Sequence, residues 1–128
     1  MSSAAARAGD AVAAIDTPAL VIDLDALERN IERMADYARR HQLHLRPHAK
    51  THKSAAIARL QIAAGAAGVC VQKLGEAEVL ADGGIADIYI SNEIVDEGKL
   101  MRLAALAGRV KLAVAVDSPL GIERLAAA

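Results

Sequence analysis

Short runs of branched apolar residues recur along this chain, each followed by a segment whose apolar positions repeat at helical spacing. Few folds accept that alternation. Ala19 to Asp23 reads as a first strand, with Pro18 as punctuation before it. Asp25 and Glu28 form a capping pair for a helix in which Leu27, Ile31, Met34 and Ala38 share one face. That helix ends near Arg40, where Arg39 and Arg40 suit the C-terminal end of the dipole. His44 to Lys50 reads as a strand, and Ser54 caps a helix running to about Ala64, stopped by Gly65. The cycle then repeats. Gly68 to Gln72 is strand-like, Glu76 to Ala81 is a short helix, and Gly83-Gly84 is its stop. Asp87 to Ser91 is the next strand, and Glu97 to Ala107 a helix ended by Gly108. Val110 to Val116 reads as the longest apolar strand, and Ser118-Pro119 opens a last helix to Ala128. Strands alternating with helices of this length predict βαβ units and a parallel sheet. The count is half of a (β/α)8 barrel or one small doubly wound sheet. No GxGxxG or Walker pattern follows any strand, which favours the barrel.

Composition fits that frame and excludes several functions. A chain of 128 residues with 54% hydrophobic and 24% charged residues is globular rather than disordered. A net charge of −1 argues against a nucleic-acid or anionic-membrane surface. The apolar content is of an unusual kind: no Trp, no Phe, only Tyr37 and Tyr89, and alanine close to a quarter of the chain. Small side chains bury little area each, so a free-standing core of this make-up is weak. It becomes sensible if further barrel strands and helices complete it. The lone Cys70 excludes an intrachain disulfide and fits a reducing compartment; it reads as a small buried hydrophobe. Residues 1–15 read as a flexible leader and 16–128 as the partial barrel. No stretch approaches the roughly 20 apolar residues of a membrane span, so the expected location is cytoplasmic.

The chemistry concentrates in LRPHAKTHK, Leu45 to Lys53. Period-two geometry puts Leu45, Pro47 and Ala49 on one strand face and His44, Arg46, His48 and Lys50 on the other. An interior row of that kind is costly unless it is paired or used. Lys50 closes the row at the C-terminal strand end, where barrel active sites lie. A zinc reading of His41, His44, His48 and His52 is disfavoured, because Pro47 and the strand break the helical stacking that HxxxH needs. Glu76 and Glu78 are expected to face solvent from their helix.

In this order, DTPALVIDLDALERNI, LRPHAKTHK, GVCVQKLGEAE and ISNEIV resemble the N-terminal part of the D-threonine aldolase family. Eukaryotic-type D-serine dehydratases and 3-hydroxy-D-aspartate aldolases are related members, and all resemble alanine racemase in fold. The resemblance runs from Asp16 to about Asp117 and implies a pyridoxal-phosphate barrel followed by a β domain. It implies that Lys50, not Lys53, forms the Schiff base with pyridoxal phosphate; strand geometry singles out the same lysine. The implied reaction cleaves a D-β-hydroxy-amino acid between Cα and Cβ, giving glycine and an aldehyde, with the cofactor as electron sink. By position, His48 and His52 are acid–base candidates, Arg46, Gln72 and Asn92 cofactor contacts, and Asp117 an orienting group. The alternatives are a D-serine dehydratase or amino-acid racemase of the same fold, a non-catalytic pyridoxal-phosphate-binding remnant, or a cofactor-free interaction module. The family's divalent-metal ligands lie in its C-terminal domain, so no metal ligand is assigned here. A homo-oligomer is expected at full length, with a small D-amino acid as ligand and neither nucleic acid nor membrane as partner. A whole barrel takes about 250 residues, so catalysis is expected of a longer polypeptide than this one.

Overall fold

Most helix starts in this chain are fixed by a side chain that accepts a free backbone N–H. The computed structural model describes residues 6–128. Asp23 accepts the Ala26 N–H at 2.9 Å and opens α1 (Leu24–Arg40). The cap is therefore Asp23 and not Asp25, which lies in the first turn where its charge suits the dipole. Ser54 Oγ accepts the Ile57 N–H at 3.4 Å to start α2 (Ala55–Ala63), and Gly65 leaves it at φ +114°, a left-handed exit. Asp96 does the same for α4 (Glu97–Ala107), accepting the Lys99 N–H at 2.9 Å. Ser118 caps α5 (Pro119–Ala127), with Pro119 where its missing N–H is harmless. The remaining helix, α3 (Leu74–Asp82), starts ahead of the expected Glu76.

Three strands, β1 (Val69–Val71), β2 (Asp87–Ile90) and β3 (Lys111–Val114), form a parallel sheet in the order β1-β2-β3. Cys70 lies opposite Tyr89, and Tyr89 opposite Ala113. Two expectations need correction. Residues 110–116 do not make the longest strand, since β3 spans Lys111–Val114 and matches β2 in length. Residues 19–23 form no strand and pair with none among the described residues, and Leu20, Val21 and Ile22 are exposed. An apolar run becomes a strand only where a neighbouring backbone supplies the ladder.

The strand expected over 44–50 is instead an irregular segment docked on the free edge of β1 up to Ala49. Ala49 and Lys50 already belong to a turn closed by the Lys53 N–H on the Ala49 carbonyl. Ala67 donates to the Leu45 carbonyl at 2.9 Å, Cys70 to that of Pro47 at 2.9 Å, and Ala49 to that of Cys70 at 2.7 Å. A single parallel bridge, His48 to Cys70, is complete. The rung before it needs a donor at position 47, and Pro47 has none. The segment therefore follows β1 without forming a regular ladder.

Alternation divides the sheet into two faces. Val69, Val71, Ile88 and Ile90 are fully buried against the helices, together with Ala49, Leu80 and Leu106. The other face carries Cys70, Tyr89 and Ala113 beside His48 and lies outside the core cluster, with Tyr89 half-buried and Ala113 exposed among the described residues. Of the leader, residues 1–5 lie outside the described residues, and the rest holds an exposed 3-10 turn at Val12–Ala14. No helix among the described residues is long and apolar enough to cross a membrane.

Candidate active site

The face outside the core cluster is polar and layered along the strand direction. Its lower layer is an ion cluster. Arg46 Nε and Nη2 donate to Asp87 Oδ1 at 2.8 Å and Oδ2 at 3.0 Å, and Lys111 Nζ lies 3.0 Å from Oδ2. A two-point guanidinium–carboxylate contact fixes both groups and ties the 45–49 segment to β2 across β1. The Arg46 hydrogen bonds hold the Asp87 carboxyl below its ordinary value; burial opposes them and Lys111 adds to them. The same contact raises the Arg46 guanidinium. Arg46 thus sits toward the N-terminal end of the row with its fork occupied. Asp87 is a residue that sequence reasoning passed over. Its signal was a carboxylate opening a strand, in phase with the cationic face.

The upper layer holds the lysine. Lys50 Nζ donates to Gln72 Oε1 at 3.2 Å, joining the end of the docked segment to the end of β1. Lys53, three positions on, is ion-paired to Glu76. Glu76 does not face solvent as expected. Its side chain is only 13% exposed and also accepts the backbone N–H of Gln72 at 3.0 Å and of Lys73 at 3.3 Å. Burial alone would raise its pKa, but the Lys53, Gln72 and Lys73 donors together hold it below the ordinary range. These amide contacts start α3 and hold the Gln72 backbone. Glu78 pairs with Arg102 on α4.

His48 Nδ1 accepts the Lys50 N–H at 3.3 Å, and its Nε2 lies 3.4 Å from Ser91 Oγ at the end of β2. His52 does not join this group. Its Nδ1 accepts the Ser54 N–H at 3.1 Å, and its Nε2 is buried beside Gln61 of α2 without a hydrogen bond in place. Burial lowers the His52 pKa, against the Gln61 and Ser54 contacts, so the ring stays neutral near pH 7. Asn92 is exposed and shares with Gln72 the rim of an open cavity of about 730 Å³ above the starts of α3 and α4. Leu74, Val79 and Ile94 line it, but Lys50 does not. Asp117 is exposed beyond β3 and makes no side-chain hydrogen bond or ion pair among the described residues. Cys70 is buried under the His48 bridge as a free thiol.

Asp87 and Glu76 predict how stability responds to acid. Both carboxyls titrate below their ordinary values of 3.8 and 4.5 when folded. Their stabilisation is therefore full above those values and is lost as pH falls through the lowered folded-state values. Asp87→Asn is expected to lower the urea midpoint at pH 7 yet flatten its decline below about pH 4. Urea midpoints measured from pH 7 to pH 2 check this; equally steep declines in parent and variant would refute it.

Residues 22–128 match the family model described as the N-terminal domain of alanine racemase. The chain belongs to that family. This alanine racemase-type segment is 46% identical over 123 residues to a D-threonine aldolase from an Arthrobacter species, covering 96% of this chain and 32% of that protein. It is 47% identical over 116 residues to a 3-hydroxy-D-aspartate aldolase from Paracoccus denitrificans, covering 89% of this chain and 30% of that one. The crystal structure of D-threonine aldolase from Filomicrobium marinum superposes with a TM-score of 0.93 at 52% identity, over 97% of this chain and 34% of the other. The segment therefore has the fold of the first part of an alanine racemase-like barrel and spans about a third of the length of these relatives.

Proposed function

We propose that the polypeptide carrying this segment is a pyridoxal-phosphate-dependent lyase that cleaves D-β-hydroxy-amino acids to glycine and an aldehyde, with Lys50 as the covalent anchor of the cofactor. One observation carries the choice of lysine. Lys50 ends the polar row at the C-terminal side of the sheet, and its amine donates to the uncharged amide of Gln72. Lys53 is committed to the Glu76 carboxylate. A primary amine not bound to a carboxylate is the donor a carbonyl cofactor needs. The cofactor, when bound, supplies an electron sink at the substrate Cα.

The residues present fit the amine end of such a group. Lys50 would hold it, Gln72 would orient the Nζ, and Glu76 would keep the Gln72 backbone in place. Asn92, across the same rim, is the further contact in this reading, and Arg46 acts from below through Asp87. The two aldolases at 46% and 47% identity support aldol cleavage. A D-threo-3-hydroxyaspartate dehydratase from Delftia, at 38% identity, supports dehydration on the same frame as the second reading. A divalent metal held by residues outside this segment and a homo-oligomeric assembly belong to the same proposal. So does a cytoplasmic location, which the free thiol of Cys70 supports.

The test is to incubate the full-length polypeptide with pyridoxal phosphate, reduce with borohydride and map the peptides. The label is expected on Lys50, and D-threonine is expected to yield glycine. A label on another lysine would overturn the assignment. Release of a keto acid and ammonia would transfer the activity to the dehydratase reading.

A further inference from the structure

The two ring nitrogens of His48 are both engaged, and their partners fix where its proton sits. A backbone N–H can only donate, so the Lys50 amide, 3.3 Å away, requires a lone pair on Nδ1. Ser91 has one hydroxyl proton, and it goes to the Val71 carbonyl at 3.1 Å. At its 3.4 Å contact with His48 Nε2, Ser91 Oγ is then left as the acceptor. The two constraints are independent and agree on a neutral ring protonated at Nε2. The Val71 carbonyl also accepts the Ser91 backbone N–H at 2.9 Å, so the serine is held at two atoms.

This chain of contacts reaches a lysine that packing does not hold. Lys50 lies in a turn closed by the Lys53 N–H on the Ala49 carbonyl at 2.8 Å, and its side chain is exposed. Ala49 beneath it is buried and bonded to Cys70. The direction of the amine therefore depends on the Lys50 backbone and on Gln72. We propose that His48 and Ser91 are a positioning pair that fixes the Lys50 backbone to the end of β2, aiming its amine toward the cofactor, and that His48 is not the acid–base group of the site. A base needs a free lone pair, and the one on Nδ1 belongs to the Lys50 amide. The pairing also explains why the row needs histidine at position 48: its two nitrogens bridge partners on opposite sides of one flat ring.

This inference rests on Lys50 being the anchoring lysine, and the experiment separates the two. In the full-length polypeptide, ¹⁵N spectra of the histidine rings read the tautomer without cofactor. Borohydride trapping with pyridoxal phosphate reads how fast Lys50 is labelled relative to other lysines. His48 is expected as the Nε2–H tautomer; the Nδ1–H form would overturn the proposal. Ser91→Ala is expected to slow selective Lys50 labelling about tenfold, and Ser91→Thr, which keeps the hydroxyl, to restore it. A merely structural serine would alter the unfolding midpoint without changing the selectivity among lysines. Should Ser91→Ala not fold, His48→Asn gives the same reading, because its shorter side chain can accept the Lys50 amide but cannot reach Ser91. Parent-like labelling in the variants overturns the positioning pair alone. Absence of Lys50 labelling in the parent overturns the anchoring lysine and the pair with it.

Discussion

In the full-length polypeptide, the proposed function predicts that Lys50→Ala abolishes covalent cofactor attachment and lowers D-β-hydroxy-amino acid cleavage by roughly three orders of magnitude or more, the scale seen when a covalent-catalysis residue is removed. Lys53→Ala is the informative control, because the two lysines stand three positions apart in one short string. Lys53 is bound to Glu76, which keeps the Gln72 and Lys73 amides as donors when the lysine is removed. That variant is expected to retain attachment and most of its turnover, at a stability cost of about 1 kcal/mol or less for a largely exposed cation. Visible absorbance of the bound cofactor, peptide mapping after reduction and steady-state rates on D-threonine decide the matter. Full activity in Lys50→Ala, or its loss in Lys53→Ala alone, would sink the assignment.

Gly68→Ala is expected to be the most damaging conservative change in the sheet. A Cβ at Gly68 would stand 2.3 Å from the Asp87 carbonyl oxygen, and 2.7 Å from both Cβ and Oδ1 of the same residue. These atoms cannot move aside cheaply. The carbonyl belongs to the strand paired with β1, and the carboxylate is held by Arg46 and Lys111. Accommodating one methyl group means spreading the strands or breaking the ion cluster, at about 3 kcal/mol, the upper end of ordinary overpacking. Against a total stability of about 5–15 kcal/mol, that is a large share. Gly75 gives the contrast. It lies in the first turn of α3 with nothing within 4 Å of its would-be Cβ. Gly75→Ala is therefore expected to stabilise slightly, by about 0.5 kcal/mol or less, since the full propensity difference applies only in a helix interior. Urea midpoints of the two variants should shift in opposite directions. A Gly68→Ala midpoint within error of the parent would show that the close approach is not a constraint.

How far the sequence could be read depended on the range of the interaction involved. Helix starts at Ser54 and Ser118 are legible because a cap and its N–H partner lie within one turn of chain. The start of α3 was misplaced for an instructive reason. Glu76 works backward, accepting the Gln72 and Lys73 amides, so the helix begins before the residue that secures it. The docked segment is legible as strand-like up to His48, with Arg46 and His48 on one face, whereas Ala49 and Lys50 belong to a turn. What broke its ladder was also in the sequence, since Pro47 cannot donate. Residues 19–23 carry a strand-like composition and are unpaired among the described residues, because pairing belongs to the neighbour as much as to the strand.

The site divides along the same line. Local pattern alone singled out Lys50 at the end of a cationic row and marked Gln72 at the end of the next strand. Only the fold brought their side chains to 3.2 Å, by laying the 45–49 segment parallel to β1. Only the fold assigned Arg46 to Asp87, a partner 41 positions away, and turned His52 back toward α2. It also gave His48 its second partner in Ser91, 43 positions away, and with it a defined proton. Periodicity, caps and turn residues act over a few residues, so the sequence by itself determined the βα alternation, the polar strand face and the lysine that ends it. The partners of those polar groups lie on other strands, and no local rule carries a carboxylate or hydroxyl across that distance. Tertiary structure decided which charges neutralise one another, which lysine is left without a carboxylate, and which ring nitrogen holds the proton.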